Sequence, residues 1–190
     1  MKHCLASCLI VAGLTASATE KPSRLVIVFN RSDAPGEAVS QALRCARRIF
    51  SNAGLETNWR VAAPKDSIPA YALTVQIVRR RGSLMRLEHL GSTLLSADGR
   101  PSPSSVYYGV IEDRTSVRLD APTLLAHVMA HEVGHQLLGA EHTSNTIMTA
   151  TWGKEEYSRM PFGLLRFSPE QARQLQVAWD ARIREETQGR

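Results

Sequence analysis

Cysteine is nearly absent from this chain of 190 residues: there are three, and two of them, Cys4 and Cys8, lie in its first eight positions. The body of the chain keeps only Cys45, so an internal disulfide is excluded, as is a Cys-x-x-Cys pair that could bind metal. Cys45 falls within the apolar spacing of a helix and is expected to be a small buried residue. Long hydrophobic runs are also missing. The apolar stretch from Cys4 to Leu14 is far too short to span a bilayer, and stable membrane insertion is not expected. The net charge of +5 is mild and its basic residues are scattered, which argues against nucleic acid as a partner. An acidic partner or a cell wall would still feel that charge. There is no internal repeat and no low-complexity segment. With 43% hydrophobic residues the chain suits one domain with one core, expected to act as a monomer.

Met1-Lys2-His3 makes a short basic start, Cys4 to Leu14 an apolar run, and Ala16-Ser17-Ala18 a set of small residues. This is the pattern of a secretory signal peptide cut after Ala18. It predicts a secreted or periplasmic protein whose domain covers residues 19–190. Leu5-Ala6-Ser7-Cys8 has the look of a lipidation site but leaves no room for an apolar region before it.

Arg24 to Asn30 is a continuous β-branched apolar run, as in a buried strand. Asp33 is placed to cap the next helix, with Pro35 in its first turn. Val39, Leu43, Ala46, Ile49 and Phe50 then recur at helical spacing, and Gly54 closes the helix. Leu55 to Val61 and Ala72 to Val78 read as two further strands. Arg79 to Gly82 reads as a strand end and turn, Ser96 to Pro103 as a loop, and Ser105 to Ile111 as another strand. Together they predict an α+β fold with a helix backing a mixed sheet. Ser168-Pro169-Glu170-Gln171 opens a closing helix. Its core face holds Ala172, Leu175, Trp179 and either Val177 or Ala178, and Glu185 to Arg190 is expected to fray. Between Thr149 and Arg166 the only regular feature expected is a helical turn near Lys154 to Ser158.

The chemistry concentrates in His131-Glu132-Val133-Gly134-His135-Gln136-Leu137-Leu138-Gly139-Ala140-Glu141-His142. Asp120 as cap and Pro122 in the first turn start this helix, and Leu124, Leu125, Val128, Met129 and Val133 would bury its back. His131 and His135, four apart, share one helix face and can grip one zinc ion at roughly 2.0–2.1 Å. Glu132 points about 100° round the helix. There it can take the proton of a zinc-bound water attacking a carbonyl without being a ligand itself. Gly139 can adopt the left-handed conformation that ends the helix, after which His142 can return as third ligand. Glu141 is the competing third ligand, since a carboxylate also binds zinc. His127 extends the series one turn back, but three residues spread over eight positions turn away from a single ion. It is expected to pack rather than ligate.

With Ile147-Met148 following, this stretch resembles the metzincin zinc endopeptidases, whose signature is His-Glu-x-x-His-x-x-Gly-x-x-His followed by a methionine turn. Here the Gly-x-x-His unit is shifted by one residue. The stretch is also similar to a group of secreted bacterial proteins reading His-Glu-x-Gly-His-x-Leu-Leu-Gly, a likeness that runs on through Trp152 and Phe167 to Ala172. The resemblance implies a metzincin-like domain: a mixed twisted sheet, a backing helix, an active-site helix, a Met-turn and a C-terminal helix. It further implies zinc on His131, His135 and His142, Glu132 as general base and Met148 as an apolar floor. The substrate it implies is a peptide bound extended along an edge strand, with Ser105 to Ile111 or Gly91 to Ser96 in that role. The tyrosine that some members carry two residues after the turn methionine is replaced here by Ala150. Two other readings stand beside this one: a zinc-stabilised envelope or binding protein without turnover, and a zinc peptidase of another clan with Glu155 or Glu156 as last ligand.

Overall fold

A computed structural model describes residues 23–79, 89–94 and 102–188. The segment read as a signal peptide, the turn at 80–82 and most of the loop at 96–103 lie outside the described residues. The fold is mixed α/β, with a five-stranded, mostly parallel sheet and five helices among the described residues. The strands are β1 (Leu25–Arg31), β2 (Asn58–Val61), β3 (Leu73–Val78), β4 (Gly91–Ser92) and β5 (Ser104–Tyr107). Their order across the sheet is β2-β1-β3-β5-β4. All neighbours run parallel except β4, which is antiparallel to β5 and forms one edge.

The helices are α1 (Gly36–Ser51), α2 (Tyr108–Arg114), α3 (Ala121–Leu138), α4 (Lys154–Arg159) and α5 (Pro169–Gln188). Strand alternation divides the sheet's two faces. Val26, Val28, Leu73, Val75, Ile77 and Val106 face the main core with α1, α3 and α5, whereas Leu25, Ile27 and Ala72 form a small cluster with Phe29, Ala62, Ile68 and Tyr71. Phe50 centres the main core, with the rings of Trp59, Phe167 and Trp179 at 5.7, 5.2 and 5.7 Å. These separations suit tilted and edge-on aromatic packing.

Several elements depart from the sequence expectation. Ser105 to Ile111 is not one strand: β5 stops at Tyr107 and α2 begins. Tyr107 and Tyr108 are both buried, which breaks a strand's alternation, while Tyr108 and Ile111 are buried three apart, as on a helix. Asp33 does not cap α1; Pro35 holds that place, with its carbonyl accepting from Val39 N at 3.0 Å. Asp33 instead pairs with Arg79 at 3.0 Å, and Arg79 also reaches Glu112 of α2 at 3.1 Å. Cys45 is half-buried rather than buried. Of the expected tail Glu185 to Arg190, residues 189 and 190 lie outside the described residues, and the part up to Gln188 belongs to α5. Arg182 holds it, donating to the carbonyls of Tyr71 and Ala70 at 3.1 and 3.0 Å. The closing helix starts as expected: Ser168 Oγ accepts from Gln171 N, and Gln171 Oε1 accepts from Ser168 N. Of its two candidate core residues Val177 is exposed and Ala178 half-buried.

Candidate metal centre

Helix α3 carries the site, and its two ends are set by local chemistry. Asp120 caps it, its carboxylate accepting from Thr123 N at 2.7 Å. Gly139 stops it with φ 87° and ψ −162°, a region essentially confined to glycine. Twelve of its eighteen residues are buried, among them His127, Glu132, His135 and Gln136.

His131, His135 and His142 come together, with one possible ligand atom from each lying within 4.8 Å of the others. Among the described residues they are the only such group of three or more His, Cys, Asp or Glu side chains. The Nε2 atoms of His131 and His135 are 2.9 Å apart. Both rings are turned by their other nitrogen: Nδ1 of His131 sits 2.7 Å from the Ile147 carbonyl, and Nδ1 of His135 sits 2.7 Å from the Gly139 carbonyl. A carbonyl only accepts, so each Nδ1 carries the proton and each Nε2 is a bare lone pair. Two lone pairs facing each other repel unless a cation lies between them. A proton is disfavoured there, because burial brings the pKa of His131 down to about 4 and also lowers that of His135. The donor set therefore fits a metal ion, with the two carbonyls acting as the outer partners that orient ligand histidines. His142 is exposed, on the segment that follows Gly139, with its ring 4.8 Å from that of His135. Glu141, its competitor, is exposed and outside the cluster; exposed Glu155 and half-buried Glu156 are outside it too. His127 is also outside it; its Nδ1 bonds the Thr123 carbonyl at 2.8 Å and its Nε2 is buried without a hydrogen-bond partner.

Ile147 and Met148 are fully buried. Their turn is knotted by threonines: Thr146 Oγ1 donates to the Thr143 carbonyl at 2.8 Å and accepts from Met148 N at 3.0 Å. Thr143 N in turn donates to the Met148 carbonyl at 2.9 Å. Met148 lies against α3 between the two helical histidines, where a Cβ on Gly134 would stand 2.4 Å from its sulfur. Gly134 thus lets the methionine reach the helix backbone.

Glu132 is 4% exposed. Burial raises its pKa to about 7, against the opposing effect of a hydrogen bond from Thr93. It lines, with all three histidines, an open cleft of about 330 Å³. One wall is His89 to Thr93 around β4; another is Thr149 to Trp152 with Tyr157. The Trp152 ring meets His131 edge-on at 5.5 Å. Arg114 Nη1 donates to the Tyr157 hydroxyl at 3.4 Å, which brings α2 and α4 to the cleft.

The structure thus brings His131, His135, His142 and Glu132 to one cleft and leaves Glu141, Glu155 and Glu156 out of it. Sequence reasoning missed Gly91, Thr93 and Ser104, which meet Glu132, and Gln136, which bonds Ser104. The one available signal was Gln136, a polar residue on the apolar side of α3. No protein-family model and no curated protein matches the chain.

Proposed function

We propose that this protein is a secreted zinc metalloendopeptidase with a metzincin-like domain. The observation that carries the reading is Glu132: a carboxyl buried in the same cleft as three histidines arranged to bind one metal. A site that only stabilises a fold has no use for a carboxyl there, because burying it costs free energy. Zinc suits three imidazoles with an open fourth position, where it supplies Lewis-acid polarisation of a carbonyl and brings a water's pKa down toward about 7.

The chain's own residues do the rest. His131 and His135 present fixed Nε2 lone pairs, and His142 adds a third nitrogen from beyond Gly139. Glu132 takes a proton from the attacking water and delivers it to the departing amine, which needs a group whose pKa lies near the working pH. The edge strand β4, rather than the interior strand β5, offers an extended peptide the side that is unpaired among the described residues. Met148 backs the helix between the ligands. Among the described residues no helix is long and apolar enough to cross a membrane, and Met1 to Ala18 is proposed to direct export.

The test uses the chain beginning at Thr19, loaded with zinc and given a mixture of unrelated peptides. Cleavage should require zinc and should vanish in Glu132→Ala with the metal retained. One zinc per chain without hydrolysis of any peptide would overturn the peptidase reading in favour of a zinc-stabilised binding protein.

A further inference from the structure

Behind Glu132 lies a line of polar side chains for which the proposed proton transfer gives no account. Thr93 Oγ1 is 2.7 Å from Glu132 Oε2 and 2.7 Å from Ser104 Oγ. Ser104 Oγ is 2.7 Å from Gln136 Nε2, which is 2.9 Å from the Thr74 carbonyl on β3. Ser104 is wholly buried and Gln136 nearly so.

The direction of this line follows from proton counting. The Thr74 carbonyl only accepts, so the amide of Gln136 must turn its nitrogen toward β3. The second N–H of that nitrogen then goes to Ser104 Oγ. Ser104 has one proton to give, and Thr93 Oγ1 is its nearest acceptor; the Glu132 main-chain carbonyl stands farther off at 3.3 Å. Thr93 then donates its own proton to Glu132, whose Oε2 at 2.7 Å stands nearer than its main-chain carbonyl at 3.1 Å. Each hydroxyl accepts from behind and donates forward, so the line runs one way, from Gln136 to Glu132.

The same strand also meets the other carboxyl oxygen. Gly91 opens β4 and Thr93 directly follows it, and both meet the Glu132 carboxyl. A Cβ on Gly91 would stand 2.5 Å from Glu132 Oε1. A hydroxyl therefore holds one oxygen while a bare Cα makes room for the other. The last torsion of a glutamate is broad and sets its own orientation poorly.

We propose that Thr93 is the positioning residue for Glu132: its hydroxyl, oriented by Ser104 and Gln136, fixes the carboxyl plane and leaves Oε1 as the oxygen that takes the proton. This rests on the peptidase reading. Misplacing a reacting group by about 1 Å can cost on the order of 100-fold in rate. Thr93→Val, which keeps the shape and removes the hydroxyl, should lower kcat by about 10- to 100-fold with KM and zinc content unchanged. Thr93→Ser, which keeps the hydroxyl, should stay close to the parent, and Ser104→Ala should fall between the two.

A second readout needs neither metal nor activity. In the metal-free protein, the shifts in thermal midpoint caused by Thr93→Val and Glu132→Met should be strongly non-additive, because valine costs stability only while the carboxyl is present to lose its donor. Equal loss of kcat in Thr93→Val and Thr93→Ser, or an unchanged kcat in Thr93→Val, would overturn the proposal. So would additive shifts in the metal-free cycle. If the parent cleaves no peptide, the peptidase reading falls by itself, and the cycle still decides whether Thr93 holds the carboxyl.

Discussion

The two walls that meet at Glu132 are built by different means. The helical wall, α3 with the Ile147-Met148 turn, is long, apolar and tied down at both ends by a cap and a glycine stop. The opposite wall is β4, two residues of strand at the sheet's edge, with Thr93 directly after it; its hold on the site comes from single atoms, a hydroxyl at Thr93 and a missing Cβ at Gly91. The helical wall sets where ligand nitrogens stand. The strand wall sets how one carboxyl is turned. A rigid element places several groups together, whereas an edge strand adjusts one group and stays open to an incoming chain.

The largest separation between the walls is expected at the carboxyl where they meet. Glu132→Gln should lower peptide hydrolysis by about 10²- to 10⁴-fold, the range of a positioned general base, while leaving metal content intact. His131→Ala should instead lose the metal. Activity retained in the glutamine variant would remove Glu132 from the reaction.

Next in size is the third ligand, which belongs to neither wall. Because His142, not Glu141, lies within the histidine cluster, His142→Ala should weaken zinc binding and abolish cleavage, whereas Glu141→Ala should keep both. Isothermal titration with zinc and a peptide assay rank the two variants; the reverse order would relocate the third ligand.

The paired glycines sharpen the contrast further. Gly134→Ala drives a methyl to 2.4 Å from the Met148 sulfur inside the core and should cost about 1–3 kcal/mol of stability, as overpacking does. Gly91→Ala meets the end of a side chain in an open cleft and should spare stability while lowering turnover. Chemical denaturation and kinetics on the same pair of proteins would show whether the walls differ in this way.

The smallest effect concerns His127, one turn before His131 on the helical wall. Burial lowers its pKa from 6.5 to about 4, so it is neutral when folded and takes up a proton on unfolding. The unfolded state binds more protons as pH falls below 6.5, so this contribution to stability shrinks with falling pH. The loss between pH 6.5 and 5.5 should be about 1 kcal/mol, and His127→Leu should remove it. Parallel pH dependences of the two unfolding free energies would show that His127 does not titrate as described.

How far the sequence could be read follows from the range of the forces involved. β1, α1, β3 and α3 were legible because their apolar periodicity is local and continuous, and so was the Ser168-Gln171 start of α5. The break between β5 and α2 was not, because Ser105 to Ile111 is β-prone throughout and only burial of Tyr107 beside Tyr108 shows that the chain turns helical. Asp33 was misassigned as a cap because Arg79, distant in sequence, takes its carboxylate.

Sequence by itself determined the ligand face of α3, since the spacing of His131 and His135 and the stop at Gly139 depend only on helix geometry. It also determined that His142, past that glycine, was available to return. Tertiary structure alone decided which carbonyls orient the two imidazoles, and that Gly134 admits Met148. It alone decided that Gly91 and Thr93 meet the carboxyl of Glu132, with Ser104 and Gln136 in line behind Thr93. These contacts join residues up to 62 positions apart across the sheet, and only folding brings such partners within hydrogen-bond reach.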